Sequence, residues 1–545
     1  MSSEGAWDVG GSRAVGTVTA RRVRMTWSRS AWAAIAVTVG FVALTGWWLA
    51  VDRSVQYGDS AQDLFVALRF RELIAHGELG TLMGYPNYYP PVAFVLGALA
   101  TFVGSPGVTA PVIAQNLVFV PLLALACYRT GRRVAGSQAG LFAVVFALGV
   151  PLLIEQFHVF MLDAPQAALV ATSVWLVLAS ERFRRVGVAA LAGVALGFGV
   201  ETKELAPLYL LAFVAVVLAR DGGAGRRNWR GLLAFAATAF ATGAPWYLWH
   251  ASRLHALLRA AGAGRFVPPA ALPAPFSFDN ALWYGWATLN SLLLAPLCAF
   301  AAVGVALAVA RVIRTRPLGD PTLELLVGLV GAWTVLTFMP HHDLRYTMPL
   351  VIFLAVLGTA WIVRLPGYGK PVAIALLLLA VGAAHVGATF GVGGTTERRL
   401  PGNRQATLGE GVPLRDRVVA YTNQNFLVSG PHGGGDVLQL MRGLHAAGVR
   451  MVYWQDAVDE ASPLFERIGV LAFAVAAGLE ADIERTDFSG LRSDAAVVMR
   501  DLSLDRAPPC VRLYDGTGVW VRLGDPARPG ARDFCPMRRP ATYGP

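Results

Sequence analysis

The chain has 545 residues, of which 55% are hydrophobic and only 15% are charged. A soluble globular protein cannot hide so much apolar surface from water, so this composition excludes that class and predicts a membrane protein. Basic anchors beside anionic lipid explain the formal net charge of +11, and no basic patch interleaved with aromatic residues predicts a nucleic-acid partner.

Long uncharged runs predict the transmembrane helices, because a helix needs about 17 to 25 apolar residues to cross a bilayer. Eleven such runs, some of them short, recur in the sequence, and the shorter stretch 91–103 predicts a re-entrant or interfacial helix. We therefore expect a polytopic α-helical protein with eleven to twelve transmembrane helices. The runs are 31–51, 109–128, 139–154, 164–179, 186–200, 205–219, 231–250, 282–310, 323–339, 346–363 and 371–390.

The loops between these runs alternate in charge, and this alternation predicts the orientation. Lys and Arg near helix ends are retained in the cytoplasm. The N-terminal tail 1–30 is basic, so we expect it inside, and eleven spans then place the C-terminal region outside. The bias toward Ala, Arg, Gly and Val suggests a bacterial plasma membrane. The other basic loops lie at 129–133, 182–185, 220–230, 311–316 and 364–370.

From about residue 391 the sequence becomes that of a mixed globular domain. Strand-like runs at 418–422, 449–454 and 519–523 alternate with helix-like runs at 437–447 and 463–477. Residues 391–545 are therefore predicted to form a soluble α/β domain outside the cytoplasm, where a disulfide between Cys510 and Cys535 is chemically favourable. The His and Cys residues show no spacing typical of structural zinc.

The ionisable residues of the membrane region, 31–390, gather in the loops predicted to lie outside. Polar groups at membrane depth are costly and usually mark a site. The first outer loop, 52–89, includes the stretch 64–75, whose amphipathic pattern predicts a helix on the membrane surface. We expect these loops to line one aqueous cavity, with the candidate residues Tyr57, Asp59, Asp63, Tyr88, Tyr89, Glu155, His158, Asp163, Lys203, His341, His342, Arg345 and Tyr346.

Five polar motifs follow one another in a recognisable order. Asp59 in the first outer loop is followed by Tyr89-Pro90-Pro91, then by Asp163, by Thr202-Lys203, and by His342 with Arg345-Tyr346. This order resembles the GT-C superfamily of glycosyltransferases, especially the protein O-mannosyltransferases and the lipid A aminoarabinose transferases, over residues 31–390. The resemblance implies a GT-C-like catalytic domain that moves a sugar from a polyprenyl-phosphate donor to a hydroxyl of an acceptor glycan, lipid or protein at the outer face.

The chemistry that the resemblance implies gives each residue a role. A hydroxyl is a poor nucleophile near neutral pH and needs a general base, for which Asp59 is the candidate. The phosphate leaving group needs fixed cations or a metal, and the candidate cations are Lys203, His342 and Arg345. Asp163 is the second catalytic candidate. Three roles for it stay open: orienting the acceptor, supporting Asp59, or binding a divalent metal such as Mg²⁺ or Mn²⁺, for which Asp59 is the other candidate ligand.

Other interpretations compete with this one. A transporter or flippase of a lipid-linked sugar would often show internal repeats and charge at the bilayer midplane, and the sequence shows neither. A membrane scaffold would leave the clustered loop charges unexplained. Locally, Asp163 could act as a helix cap and Lys203 could reach from a helix end to the membrane interface. The one-sided cluster favours the enzyme.

Overall fold

The structure is a computed structural model, and it describes most of the chain up to Phe390 and parts of the remainder. The described ranges are 28–51, 59–85, 89–104, 109–220, 225–252, 275–315, 320–339, 343–390, 441–456, 474, 477–482, 493–500, 512–514 and 519–523. Up to Phe390 these residues form almost only helices, and the described part beyond it contains a five-stranded sheet.

The first half of the helical region runs from α1 to α9. The helix bounds are α1 Arg29–Val51, α2 Asp59–Ala75, α3 Leu79–Met83, α4 Val92–Val103, α5 Thr109–Ala135, α6 Ser137–Leu148, α7 Pro151–His158, α8 Asp163–Ala179 and α9 Val186–Val200.

The second half mixes α-helices with shorter 3-10 and π segments. A 3-10 turn, Leu208–Leu210, leads into α10, and a π segment, Thr288–Leu293, joins α13 to α14. Two further 3-10 segments, Leu344–Leu350 and Ile362–Arg364, flank α16. The α-helices are α10 Leu211–Ala219, α11 Gly225–Gly243, α12 Pro245–Trp249, α13 Phe278–Ala287, α14 Leu294–Thr315, α15 Thr322–Phe338, α16 Val351–Ala360 and α17 Gly369–Phe390.

Several of these helices have the length and apolarity of membrane spans. Among the described residues, five helical segments are long and apolar enough to cross a bilayer, or six if α6 and α7 form one broken span. The helix at 186–200 has the predicted bounds, whereas the run 139–154 is divided into α6 and α7, which are bent by 61°. Pro151 causes the break, because proline has no amide hydrogen for the preceding turn. The number of eleven to twelve spans stays a prediction.

The amphipathic stretch of the first outer loop is a helix, and other parts of the protein cover much of its apolar face. Leu64 and Leu68 of α2 are buried in one apolar cluster with Phe94 of α4. The same cluster contains Phe160 and Leu162, which lead directly to Asp163. Protein therefore covers Leu64 and Leu68 and joins α2 to the start of α8, and the location of this helix at the membrane surface stays a prediction.

Small residues let α9 and α11 pack closely. A Cβ atom on Gly193 would lie 2.1 Å from the backbone oxygen of Phe235, and one on Gly197 would lie 1.7 Å from Thr242 Oγ1. Both glycines lie on α9, and their neighbours lie on α11. Such close backbone approach is typical of helix pairs in membranes. We infer that the spacing of these two glycines fixes how α9, and hence the residues after it, is positioned.

Replacing Gly193 with Val should destabilise the folded protein by about 1 to 3 kcal/mol or more, because the Phe235 carbonyl is backbone and cannot move aside cheaply. The measurement is the Tm of the purified chain in detergent. Gly187→Val is the matched control, since Gly187 lies on the same helix and nothing lies within 4 Å of the position its Cβ would take. Equal Tm values for the two variants would contradict the packing assignment.

The described C-terminal strands form one mixed sheet in the order β2-β1-β3-β5-β4. Strand β1 pairs in parallel with β2 and β3, while β5 pairs antiparallel with β3 and β4. Strands β1 and β5 confirm the strand-like runs at 449–454 and 519–523. The run 418–422, Cys510 and Cys535 lie outside the described residues, and the soluble α/β domain stays a prediction. The strands are β1 Met451–Asp456, β2 Glu480–Asp482, β3 Ala495–Arg500, β4 Arg512–Tyr514 and β5 Val519–Leu523.

Candidate active site

A buried ion pair between Lys203 and Asp163 lies where α8 begins and α9 has just ended. Lys203 Nζ is 2.6 Å from Asp163 Oδ1, and the two side chains are only 4% and 2% exposed. Helices α8 and α9 pack together and are joined by a short loop, so the start of one lies beside the end of the other. Burial would lower the pKa of Lys203, but the Asp163 carboxylate outweighs it and holds that pKa well above its usual value.

Two tyrosine rings flank the Lys203 ammonium. Lys203 Nζ lies 5.5 Å from the ring centre of Tyr89 and 5.0 Å from that of Tyr346, which is within the range of cation–π attraction. Tyr209 donates a hydrogen bond of 2.9 Å to the backbone oxygen of Tyr346, and Gln166 donates one of 3.0 Å to the backbone oxygen of Lys203. The 3-10 turn Leu208–Leu210 and helix α8 therefore help to hold Lys203 and Tyr346 in place.

Arg345 joins the same cluster through a second carboxylate, Asp343. The Nε of Arg345 lies 2.9 Å from each Asp343 carboxylate oxygen, and its Nη2 also donates to Asp343 Oδ2. Arg345 Nη1 lies 3.9 Å from Asp163 Oδ2, so Asp163 stands between two cations. Burial would raise the pKa of Asp343, but the charge and hydrogen bonds of Arg345 lower it to about 2. Cations and carboxylates thus alternate from Lys203 to Asp343.

The structure brings together five of the residues predicted from sequence: Tyr89, Asp163, Lys203, Arg345 and Tyr346. Asp343 and Tyr209 were not among the predicted site residues. The pattern Asp343-Leu344-Arg345 could have identified Asp343, because its side chain accepts the backbone amide hydrogen of Arg345 at 2.9 Å and caps the 3-10 helix. No sequence signal marks Tyr209, which lies in an apolar run.

Other predicted residues lie outside the described part. They are Tyr57, Tyr88, His341 and His342, together with the side chain of Asp59, whose backbone begins α2. Asp63, one turn further along α2, is buried.

Glu155 and His158 are buried on α7. They do not belong to the group that we name the Lys203 cluster, which consists of Tyr89, Asp163, Lys203, Asp343, Arg345 and Tyr346. The His158 ring stacks on Trp48 of α1 with 4.0 Å between ring centres. Neither carboxylate oxygen of Glu155 has a hydrogen-bond partner among the described residues. No described hydrogen bond or ion pair connects either residue to Lys203, Asp163 or Arg345. Their place in the predicted cavity stays a prediction.

The described residues do not fit a divalent metal at this cluster. Among them, no group of three or more His, Cys, Asp and Glu side chains lies together as a ligand set. The Asp163 carboxylate already accepts from Lys203 and lies near Arg345, so it faces two positive charges that would oppose a third. We therefore assign no step of the chemistry to a metal.

Glu201 lies at the end of α9, two residues before Lys203, and is buried. Burial raises its pKa to about 7, although a backbone hydrogen bond at Trp246 acts in the opposite direction. Because the folded-state pKa lies above that of the unfolded chain, the protonated carboxyl stabilises the fold at low pH. This contribution is lost as the pH rises from about 4.5 to about 7.

Glu201→Gln should abolish this pH dependence, because the amide keeps the shape of the protonated carboxyl but cannot ionise. We expect the Tm of the wild-type chain to fall relative to that of the variant between about pH 5 and pH 8. The exposed Glu78 provides the control, Glu78→Gln. Parallel Tm profiles for the wild type and Glu201→Gln would show that Glu201 does not titrate in this range.

Comparisons with known proteins find a family and solved structures that this chain resembles. Residues 89–249, which include Tyr89, Asp163 and Lys203, match the family described as dolichyl-phosphate-mannose-protein mannosyltransferase. The crystal structure of ArnT from Cupriavidus metallidurans bound to undecaprenyl phosphate has a TM-score of 0.57 and 13% sequence identity, with 91% of this chain and 98% of ArnT covered. The chain has the GT-C fold.

The structure of this chain also matches that of the same ArnT in the apo state. That structure has a TM-score of 0.57 and 14% identity, with 89% of this chain and 97% of ArnT covered. No curated protein sequence matches the chain. The resemblance to GT-C glycosyltransferases that the order of the motifs indicated is therefore confirmed at the level of the fold, and the chain is a multi-pass membrane protein.

Proposed function

We propose that this chain is a glycosyltransferase that moves a sugar from a polyprenyl-phosphate donor to a hydroxyl group of a glycan, lipid or protein acceptor. The observation that carries the proposal is the buried Lys203 ammonium between Tyr89 and Tyr346, with Arg345 beside it. A carboxylate holds each of these cations, and charged N–H donors fixed in this way form strong hydrogen bonds to phosphate oxygens. The ArnT that shares this fold was crystallised with a polyprenyl phosphate, undecaprenyl phosphate.

The cations are arranged to receive a phosphate without losing their own supports. An ammonium carries three N–H donors, and Asp163 takes one from Lys203. An Arg carries five, and those on Nε and Nη2 go to Asp343. Asp163 thus holds Lys203 in place and leaves the other N–H donors of the ammonium for phosphate oxygens, and Asp343 holds the Arg345 charge beside them. Burial keeps the Tyr89 phenol neutral by raising its pKa well above its usual value, so it too can donate.

Asp163 is better suited to holding Lys203 than to removing a proton from the acceptor. Its Oδ1 accepts from the ammonium at 2.6 Å, and its Oδ2 faces Arg345. Both oxygens of the carboxylate thus face cations. We assign Asp163 the role of positioning Lys203. The general base remains Asp59, at the start of α2, and the apolar cluster that joins α2 to Phe160 and Leu162 supports this assignment.

The reaction then needs one displacement at the anomeric carbon. Asp59 takes the acceptor proton while the acceptor oxygen bonds to that carbon, and the bond from the carbon to the phosphate oxygen breaks. The electron pair stays on the phosphate, where Lys203 and Arg345 stabilise the negative charge as it develops. His342 is the third cation that we propose here, and Tyr57, Asp63, Tyr88 and His341 are proposed to line the cavity.

The membrane arrangement belongs to the same proposal. We place the Lys203 cluster at the outer face of a bacterial plasma membrane, with the N-terminal tail inside and residues 391–545 outside as a soluble domain. Eleven spans give this orientation, and the basic loops at 129–133 and 182–185 support it.

One observation favours the transporter or flippase as a second candidate. The broken pair α6 and α7 carries Glu155, whose buried carboxylate has no hydrogen-bond partner among the described residues, and broken helices with buried charge are typical of transporters.

The test is sugar transfer in membranes that contain the chain, compared with membranes that lack it. Polyprenyl-phosphate donors carrying a radiolabelled hexose or pentose are supplied, and both the glycosylated acceptor and the released polyprenyl phosphate are measured. The proposal expects the two products to form in equal amounts. Movement of intact donor across the bilayer without release of polyprenyl phosphate would instead establish the transporter.

A further inference from the structure

A pocket lined by arginines lies at the opposite end of α8 from Asp163. Helix α8 has 17 residues, so the pocket lies about 25 Å from the Lys203 cluster. It consists of two adjoining cavities of about 290 and 420 Å³ that share Arg133, Leu178 and Glu181. We name the two together the arginine pocket, and its basic residues are Arg129, Arg132, Arg133, Arg182, Arg184 and Arg185.

The arginine pocket has more positive charge than its own carboxylates can balance. Its walls contain six arginines and two acids, Glu181 and Glu324, which leaves a net charge of +4 among the described residues. Both acids are already engaged: Glu181 lies 2.5 Å from Arg185, and Glu324 lies 2.5 Å from Arg220 and 3.4 Å from Arg182. In the described part of the chain, Arg129, Arg132 and Arg133 have no acidic partner within salt-bridge distance.

Apart from Thr130, the rest of the wall is apolar. Val177 and Leu178 of α8 and Val217 of α10 line the pocket, and Trp175 stands half-buried beside Arg129 and Arg132. Arginine clusters bind phosphate groups through paired hydrogen bonds, whereas apolar walls with a tryptophan suit a hydrocarbon chain. A free inorganic phosphate ion would bind the arginines but would make no use of the apolar wall.

We propose that the arginine pocket is a binding site for the phosphate headgroup of an anionic lipid, separate from the Lys203 cluster. The arginines bind the phosphate, and the wall formed by Trp175, Leu178 and Val217 contacts the start of the acyl chain. Basic residues near an anionic membrane surface attract lipid in general. The concave shape and the already paired acids predict more than this: saturable binding that depends on particular arginines. The proposal does not rest on the glycosyltransferase assignment.

The test measures binding of radiolabelled phosphatidylglycerol to the purified full-length chain in detergent, with phosphatidylcholine as the uncharged comparison. We expect saturable binding of phosphatidylglycerol and a loss of affinity of about 10-fold or more in Arg132→Gln/Arg133→Gln, since each basic residue near lipid is worth about 1 kcal/mol. Both arginines are exposed, so the fold should survive, and an unchanged Tm verifies this.

The control variant, Arg314→Gln/Lys370→Gln, removes the same charge from basic loops that are predicted to lie on the same side of the membrane. The proposal requires full binding in this control. An equal loss in both double variants would overturn it in favour of diffuse attraction. Displacement of phosphatidylglycerol by millimolar inorganic phosphate, with phosphate alone raising the Tm as much as the lipid does, would overturn the lipid as ligand and leave a site for free phosphate.

Discussion

Replacing Lys203 with Met should reduce sugar transfer by about 100-fold to 1000-fold, the usual cost of removing one group that stabilises developing charge. The methionine side chain has a similar length but no charge, so the leaving phosphate loses the ammonium held between Tyr89 and Tyr346. The measurement is the initial rate of transfer from the polyprenyl-phosphate donor in membranes with matched amounts of protein. Lys370→Met is the control, because the one hydrogen bond that the Lys370 side chain makes to a described residue goes to Gln138 at an exposed position.

Loss of Lys203 also leaves Asp163 as a buried carboxylate without its nearer cation, and breaking a buried ion pair in this way typically costs about 3 to 5 kcal/mol of stability. The double variant Lys203→Met/Asp163→Asn removes both charges and separates the two effects. We expect it to recover the Tm of the wild type while transfer stays low. Recovery of transfer in the double variant would show that Lys203 serves only to balance Asp163.

Asp59→Asn should lower the turnover rate by about 100-fold or more, roughly 3 kcal/mol of barrier, because the amide cannot accept the acceptor proton. The polyprenyl-phosphate donor should bind the variant as tightly as the wild type, since we propose that its phosphate contacts Lys203 and Arg345 and not Asp59. The measurement is kcat and KM for the donor, together with the pH profile of kcat. The profile should lose its acid limb in the variant.

A neutral substitution on the same helix provides the control for Asp59→Asn. Glu72→Gln removes an acid near the end of α2, where Glu72 pairs with Arg69 at 2.6 Å, and it should leave kcat unchanged. Full activity of Asp59→Asn together with loss of activity and an unchanged Tm in Asp163→Asn would move the base to Asp163. This result would contradict the proposal that Asp163 serves to position Lys203.

The sequence by itself determined the class of protein and the order of its motifs. The apolarity of a run of residues can be assessed without knowing which distant residues it contacts. The membrane assignment and the helix at 186–200 therefore followed directly from the local pattern. Tyr89, Asp163, Lys203, Arg345 and Tyr346 were also found from the sequence, because polar residues at membrane depth are rare and their order resembles that of a known superfamily.

Only the tertiary structure decided which of these residues bond to each other. Lys203 and Asp163 are 40 positions apart, and no local pattern shows that packing of α8 against α9 brings their charged atoms within 2.6 Å. The tertiary structure also decided three other features: the pairing of Arg345 with Asp343, the hydrogen bond from Tyr209 to Tyr346, and the burial of α2. Hydrophobic periodicity gives the direction in which a helix faces, but the partner on that face depends on how distant segments fill the shared interior.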